Sequence, residues 1–116
     1  MDTETFSRIT KTAQSVVEKL VERDYIGLER LSGGVRLSAQ ALEFAVGQYG
    51  RTICRVPVER WPDLDVVEIT GAVPARFSAR VDLWTLEEGR SDLSLELTLI
   101  DQADTLAVEI DDLHVL

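Results

Sequence analysis

A chain of 116 residues is the length of one domain, and it is long enough to bury a single core without a metal or disulfide staple. With 45% hydrophobic and 28% charged residues it has an ordinary globular composition, and no apolar run approaches the roughly 18 residues of a membrane span. Net charge is −9 and unevenly placed: residues 1–56 hold eight basic and seven acidic side chains, a net +1, whereas residues 57–116 hold four arginines and fourteen carboxylates, a net −10. A field of that sign repels phosphate, which disfavours nucleic acid and anionic lipid as partners and favours a basic protein.

The first residues, Met1 to Arg8, are polar and acidic rather than basic and then apolar, so no secretory leader is expected. The single cysteine, Cys54, cannot form an internal disulfide, and a reducing cytoplasm is the natural setting. Within Thr52-Ile53-Cys54-Arg55-Val56 it reads as a small buried hydrophobe rather than a nucleophile.

Phe6, Ile9, Ala13, Val16 or Val17, and Leu20 recur every three or four positions, predicting an amphipathic helix from about Thr3 to Arg23. Asp24 is placed to cap a short second helix lined by Tyr25, Leu28 and Leu31 and broken by Ser32-Gly33-Gly34. Ser38 is the expected cap of a third helix, with Leu37 and Leu42 spaced as a hydrophobic staple, a stripe of Leu42, Ala45, Val46 and Tyr49, and Gly50 as its end. From Arg51 to Asp63, Pro57, Pro62 and Glu59-Arg60-Trp61 read as an exposed connector carrying a short edge strand at residues 52–56.

Strands are expected at residues 65–70, 75–85, 91–101 and 105–115, separated by hairpin-length turns. Leu93, Leu95, Leu97 and Leu99 alternate with Ser94, Glu96 and Thr98; Phe77, Ala79, Val81 and Leu83 alternate with Arg76, Ser78, Arg80 and Asp82. The expected class is α+β, with three N-terminal helices packed on a curved antiparallel sheet of four to five strands that has one wet, acidic face.

Two stretches, 82–93 (Asp82-Leu83-Trp84-Thr85-Leu86-Glu87-Glu88-Gly89-Arg90-Ser91-Asp92-Leu93) and 110–116 (Ile110-Asp111-Asp112-Leu113-His114-Val115-Leu116), resemble the signature segments of a small bacterial family of uncharacterised function. The order of elements, with Val21-Glu22-Arg23-Asp24-Tyr25 before Leu28, Gly34 and the helix 38–50, is similar to the nuclear-transport-factor-2-like, cystatin-like cone. That resemblance implies a sheet wrapped around the long first helix with a pocket between them. Such folds host isomerases, dehydratases, small-molecule binders, dimerisation modules and immunity proteins, so the resemblance does not choose a function.

Asp112 and His114 are the most enzyme-like pair. Under strict alternation with Leu106, Val108 and Ile110 they face the interior, where they could act as general base and orienter. Leu113 and Val115 fall on the opposite phase, however, and a bulge at Asp111-Asp112 that turns Leu113 inward and His114 outward is the preferred resolution. One histidine, one cysteine and scattered carboxylates offer no zinc or EF-hand spacing, so neither a metal nor a cofactor is expected.

In the hairpin 87–92, Arg90 is expected to clamp Asp92 or the Asp111-Asp112 bulge. Arg76 and Arg80 are expected opposite Glu96 and Glu109, at about 0.2–1 kcal/mol per pair. Trp84 lies on the polar side of its strand and is read equally as an interface aromatic or as packing under a loop. The leading expectation is a non-enzymatic immunity or antitoxin-type protein that binds a basic toxin domain through Arg80, Asp82, Trp84, Glu87, Glu88, Glu96, Glu109 and Asp111. The alternatives are a cone-fold pocket protein using Asp112 and His114, and a homodimer through the Trp84 face.

Overall fold

The helices begin where side-chain oxygens can satisfy orphan amides. A computed structural model describes all residues, Met1–Leu116. Helix α1, Thr3–Val21, starts at Asp2, whose carboxylate accepts from Thr5 N at 2.7 Å, and buries Ile9, Ala13, Val16, Val17 and Leu20 along one stripe. Helix α2, Tyr25–Ser32, is capped by Asp24, which accepts from Gly27 N at 2.9 Å; a Cβ on Gly27 would collide with that carboxylate. Helix α3, Ala39–Tyr49, is capped by Ser38 through Ala41 N at 3.1 Å and ends on Gly50 in the left-handed region. Leu28 and Leu42 are fully buried, whereas Leu31, expected to line α2, is 43% exposed. The buried stripe of this short helix runs from Leu28 to Ser32, four residues on, which leaves Leu31 at its margin.

The strands are β1 (Ile53–Cys54), β2 (Asp65–Glu68), β3 (Arg76–Thr85), β4 (Gly89–Asp101) and β5 (Leu106–Val115). They form one antiparallel sheet in which β2 to β5 run as a sequential meander, so the fold is α+β with helices packed on a five-stranded sheet. Both β1 and β2 pair with β3, β1 near Thr85 and Trp84, β2 from Arg80 to Phe77. Cys54, opposite Trp84, is half-buried rather than fully enclosed. A radius of gyration of 13.6 Å matches the roughly 13.4 Å of one domain of this length.

The inner face carries Leu93, Leu95, Leu97 and Leu99, all at 2% exposure or less, beneath α1 with Phe77, Val81, Leu83, Ile110 and Leu113. Each such side chain contributes about 1.5–3 kcal/mol by leaving water. Between β1 and β2 the chain forms a 3₁₀ turn, Val58–Asp63, instead of the loose connector that Pro57 and Pro62 suggest. Trp61 in this turn is buried and belongs to the core, while Val58, Glu59 and Arg60 stay exposed. A short connector that travels along one border of β3 can close over it only by seating a large side chain there.

Candidate functional site on the outer face of the sheet

Alternate residues of three strands build the outer face. Cross-strand rows run Ser78, Thr98, Glu109; Arg80, Glu96, Asp112; and Asp82, Ser94, His114. Arg80, Asp82, Trp84, Glu96 and Glu109 therefore share the surface turned away from the helices, as the alternation requires. Arg80 stands opposite Glu96, but its guanidinium reaches Asp65 on β2, at 3.6 Å. Arg76 stands opposite Ile100, so the expected Arg76 pairing with Glu109 or Glu96 does not form in that register.

Trp84 lies half-buried at one end of this face, with Arg60 Cζ 5.9 Å from its ring centroid. Arg60 and Trp61 descend from the 3₁₀ turn, while Arg80, Asp82 and Arg90 rise from the sheet, to line a surface cavity of about 140 Å³ beside the indole. Three of the four arginines of the acidic half thus converge on one aromatic. Arg90 pairs with Asp82, at 3.1 Å from Nε and 2.5 Å from Nη2 to Oδ2, and not with Asp92 or the β5 bulge. Register slips between Asp82 and Trp84, so Trp84 faces Arg90 instead of Asp92, which carries the guanidinium within reach of Asp82. Gly89 opens the returning strand at φ +75°, a conformation that favours glycine, while a Cβ there would make only ordinary contact with the Trp84 ring at 3.6 Å.

A second irregularity sets β5. Glu96 pairs with Asp112, yet Leu97 pairs with Ile110, leaving Asp111 as the extra residue of a bulge. Leu113 turns inward at 5% exposure, and His114 turns outward beside Asp112 and Glu96. The interior Asp112–His114 arrangement is thereby corrected: the wall that an enclosed active site would need is occupied by Ile110 and Leu113. His114 Nδ1 lies 3.1 Å from Asp112 Oδ2 and 3.4 Å from Glu96 Oε2. Asp111 accepts from Thr98 Oγ1 at 2.5 Å and lies 2.9 Å from Arg36 Nε, which ties the bulge to the loop between α2 and α3. The grouping of Glu96 with Asp112 and His114 was missed by sequence spacing, because it is created across strands by register and by one bulged residue.

Glu87 and Glu88, expected to contact a partner, are exposed and bond to residues at the C-terminal end of α3 and just beyond it. Glu87 accepts from Thr52 N and Thr52 Oγ1, both at 2.8 Å, and these bonds hold its carboxyl below the ordinary 4.5. Glu88 accepts from Tyr49 Oη at 2.8 Å, which pushes the phenol above its usual 10.0. On α1, the two-pronged contact from Arg55, at 2.8 and 2.6 Å, similarly lowers Glu18. Because the folded chain binds protons at Glu18 and Glu87 less readily than the unfolded chain, their stabilisation is complete above about pH 4.5 and fades as pH falls through the lowered folded values. Thermal melts between pH 7 and pH 3 are expected to show this decline, and Glu87→Gln to flatten it; an identical acid profile in the variant would remove Glu87 from the account.

The chain belongs to the family described as Domain of unknown function (DUF7668), whose model matches residues 17–116 and so takes in both bulged strands and the hairpin between β3 and β4. No curated protein and no solved structure matches the chain at a significant level.

Proposed function

We propose that this family member is a non-enzymatic binding protein that engages a basic protein partner through the outer face of its sheet, as an immunity or antitoxin-type inhibitor. Its main support is one-sided packing. The core lies between the helices and the leucine face, and the opposite side of the thirteen-residue β4 and its neighbours carries Glu96, Glu109 and Asp112 together with the Trp84 cavity, which Asp65 helps to line. A large aromatic in a shallow recess, ringed by polar groups, is the usual composition of an interface hot spot. The carboxylates of this face and the net −10 of residues 57–116 would speed encounter with a cationic surface, such as that of an enzyme acting on nucleic acid or nucleotides.

The order of three helices followed by a meander also supports grouping the fold with the nuclear-transport-factor-2-like, cystatin-like cones, here used as a scaffold. The small-molecule-pocket form of that reading lacks support, since leucines at 2% exposure or less fill the sheet side of the helix–sheet boundary.

The test is co-expression with the products of neighbouring genes, followed by binding measurements at several salt concentrations. Neutralisation of a toxic neighbour is expected, together with salt-sensitive binding weakened at least about tenfold, or ~1.4 kcal/mol, by combined Glu96→Lys and Glu109→Lys. Binding unaffected by the double reversal would overturn the proposal. So would a homodimer in sedimentation that the same substitutions disperse, which would indicate self-association instead.

A further inference from the structure

We propose that Glu96, Asp112 and His114 form a binding site for a first-row divalent cation of the zinc type. One donor atom from each of the three lies within 4.8 Å of the other two. The separations from Nδ1, 3.1 Å to Asp112 Oδ2 and 3.4 Å to Glu96 Oε2, lie close to the roughly 3.3–3.4 Å between ligands that each stand about 2.0–2.1 Å from one tetrahedral ion.

Hydrogen bonding within the trio does not explain the cluster. Nδ1 is shielded from water although the imidazole is 37% exposed, and it forms no hydrogen bond of acceptable geometry with either carboxylate. It is a nitrogen held beside two anionic oxygens without a proton bridge to them. Asp112 is also oriented, its Oδ1 accepting from Leu113 N at 2.8 Å while Oδ2 is turned toward the imidazole. Glu96 and Asp112 form a directly opposed like-charged pair, an arrangement that costs stability unless a cation offsets it. Arg80, the cation across from Glu96 on β3, pairs with Asp65.

A further sign comes from Ser94, directly across from His114 on the same face. This side chain is fully buried, and its Oγ has no hydrogen-bond partner. A buried hydroxyl left without a partner, in register with His114 and two residues from Glu96 on one strand, is a polar group that a ligand held by the trio could satisfy.

The donor set selects the class of ion. One imidazole with two carboxylates suits zinc, manganese or iron better than calcium or magnesium, which favour oxygen-only shells. Three protein ligands leave a coordination position open on the solvent side. The site stands independently of the proposed partner, because it is tested on the chain alone.

The lone histidine makes the experiment unambiguous. The full chain carrying Cys54→Ser, to remove the thiol as a competing ligand, is freed of metal with a chelator and titrated with Zn²⁺ alone near pH 7 while the imidazole ¹⁵N resonances are followed. A saturable shift at His114 Nδ1, complete near equimolar Zn²⁺, is expected. Adding Asp112→Asn, which preserves an acceptor for Leu113 N and relieves the like-charge pair, should weaken binding at least about tenfold without lowering the metal-free melting temperature. A His114 resonance that does not respond at equimolar Zn²⁺, or an affinity unchanged by Asp112→Asn, would overturn the proposal.

Discussion

Trp61→Ala is expected to lower the unfolding free energy by about 3–5 kcal/mol, a large share of the roughly 5–15 kcal/mol that keeps a domain of this size folded. Trp61 is 7% exposed and belongs to the same core as α1 and the leucine face, although its neighbours in the 3₁₀ turn, Glu59 and Arg60, are open to solvent. Truncation removes apolar surface and leaves a hole where the turn closes over the border of β3. The check is the urea midpoint, which should fall with little change in the denaturant slope. A loss below about 0.5 kcal/mol, the usual effect of a surface substitution, would show that the turn is not part of the core.

Leu97→Ala should cost about 2–5 kcal/mol by the same route. Leu97 is fully buried at the middle of β4, with Ala79 on one side and Ile110 on the other. Ala79 is too small to move into the vacated volume, which favours the upper part of that range. Leu31→Ala is the matched control: with Leu31 43% exposed, it should change stability by about 0.5 kcal/mol or less. Equal losses at both positions would contradict the burial pattern.

Local patterns carried much of the architecture into view. Helix caps at Asp24 and Ser38, the stripe from Ile9 to Leu20 and the period-two leucines of β4 depend on neighbours within one or two turns, and all are where the sequence puts them. The change of hydrophobic phase after Ile110 was likewise enough to indicate a bulge and an outward His114. What escaped depended on distant partners. Trp61 was read as exposed because its own segment is polar and proline-rich, whereas its burial is decided by the path from β1 to β2. Glu87 and Glu88 looked free because Thr52 and Tyr49, which bind them, lie 35 and 39 residues away in the chain. Arg90 finds Asp82 only because β3 and β4 slip between Asp82 and Trp84. The Glu96, Asp112 and His114 cluster was invisible for a related reason, since its formation requires both the strand partner and the count of bulged residues.

The bulge at Asp111 also bears on what the open side of β5 can accept. β5 ends the strand order and would otherwise offer a border of unpaired amides and carbonyls to any extended chain. An extra residue interrupts the regular spacing of β5, Arg36 pairs with Asp111 at that point, and Asp112 adds a carboxylate beside it. Such a border is a poor template for lengthening the sheet into a fibre or a swapped assembly.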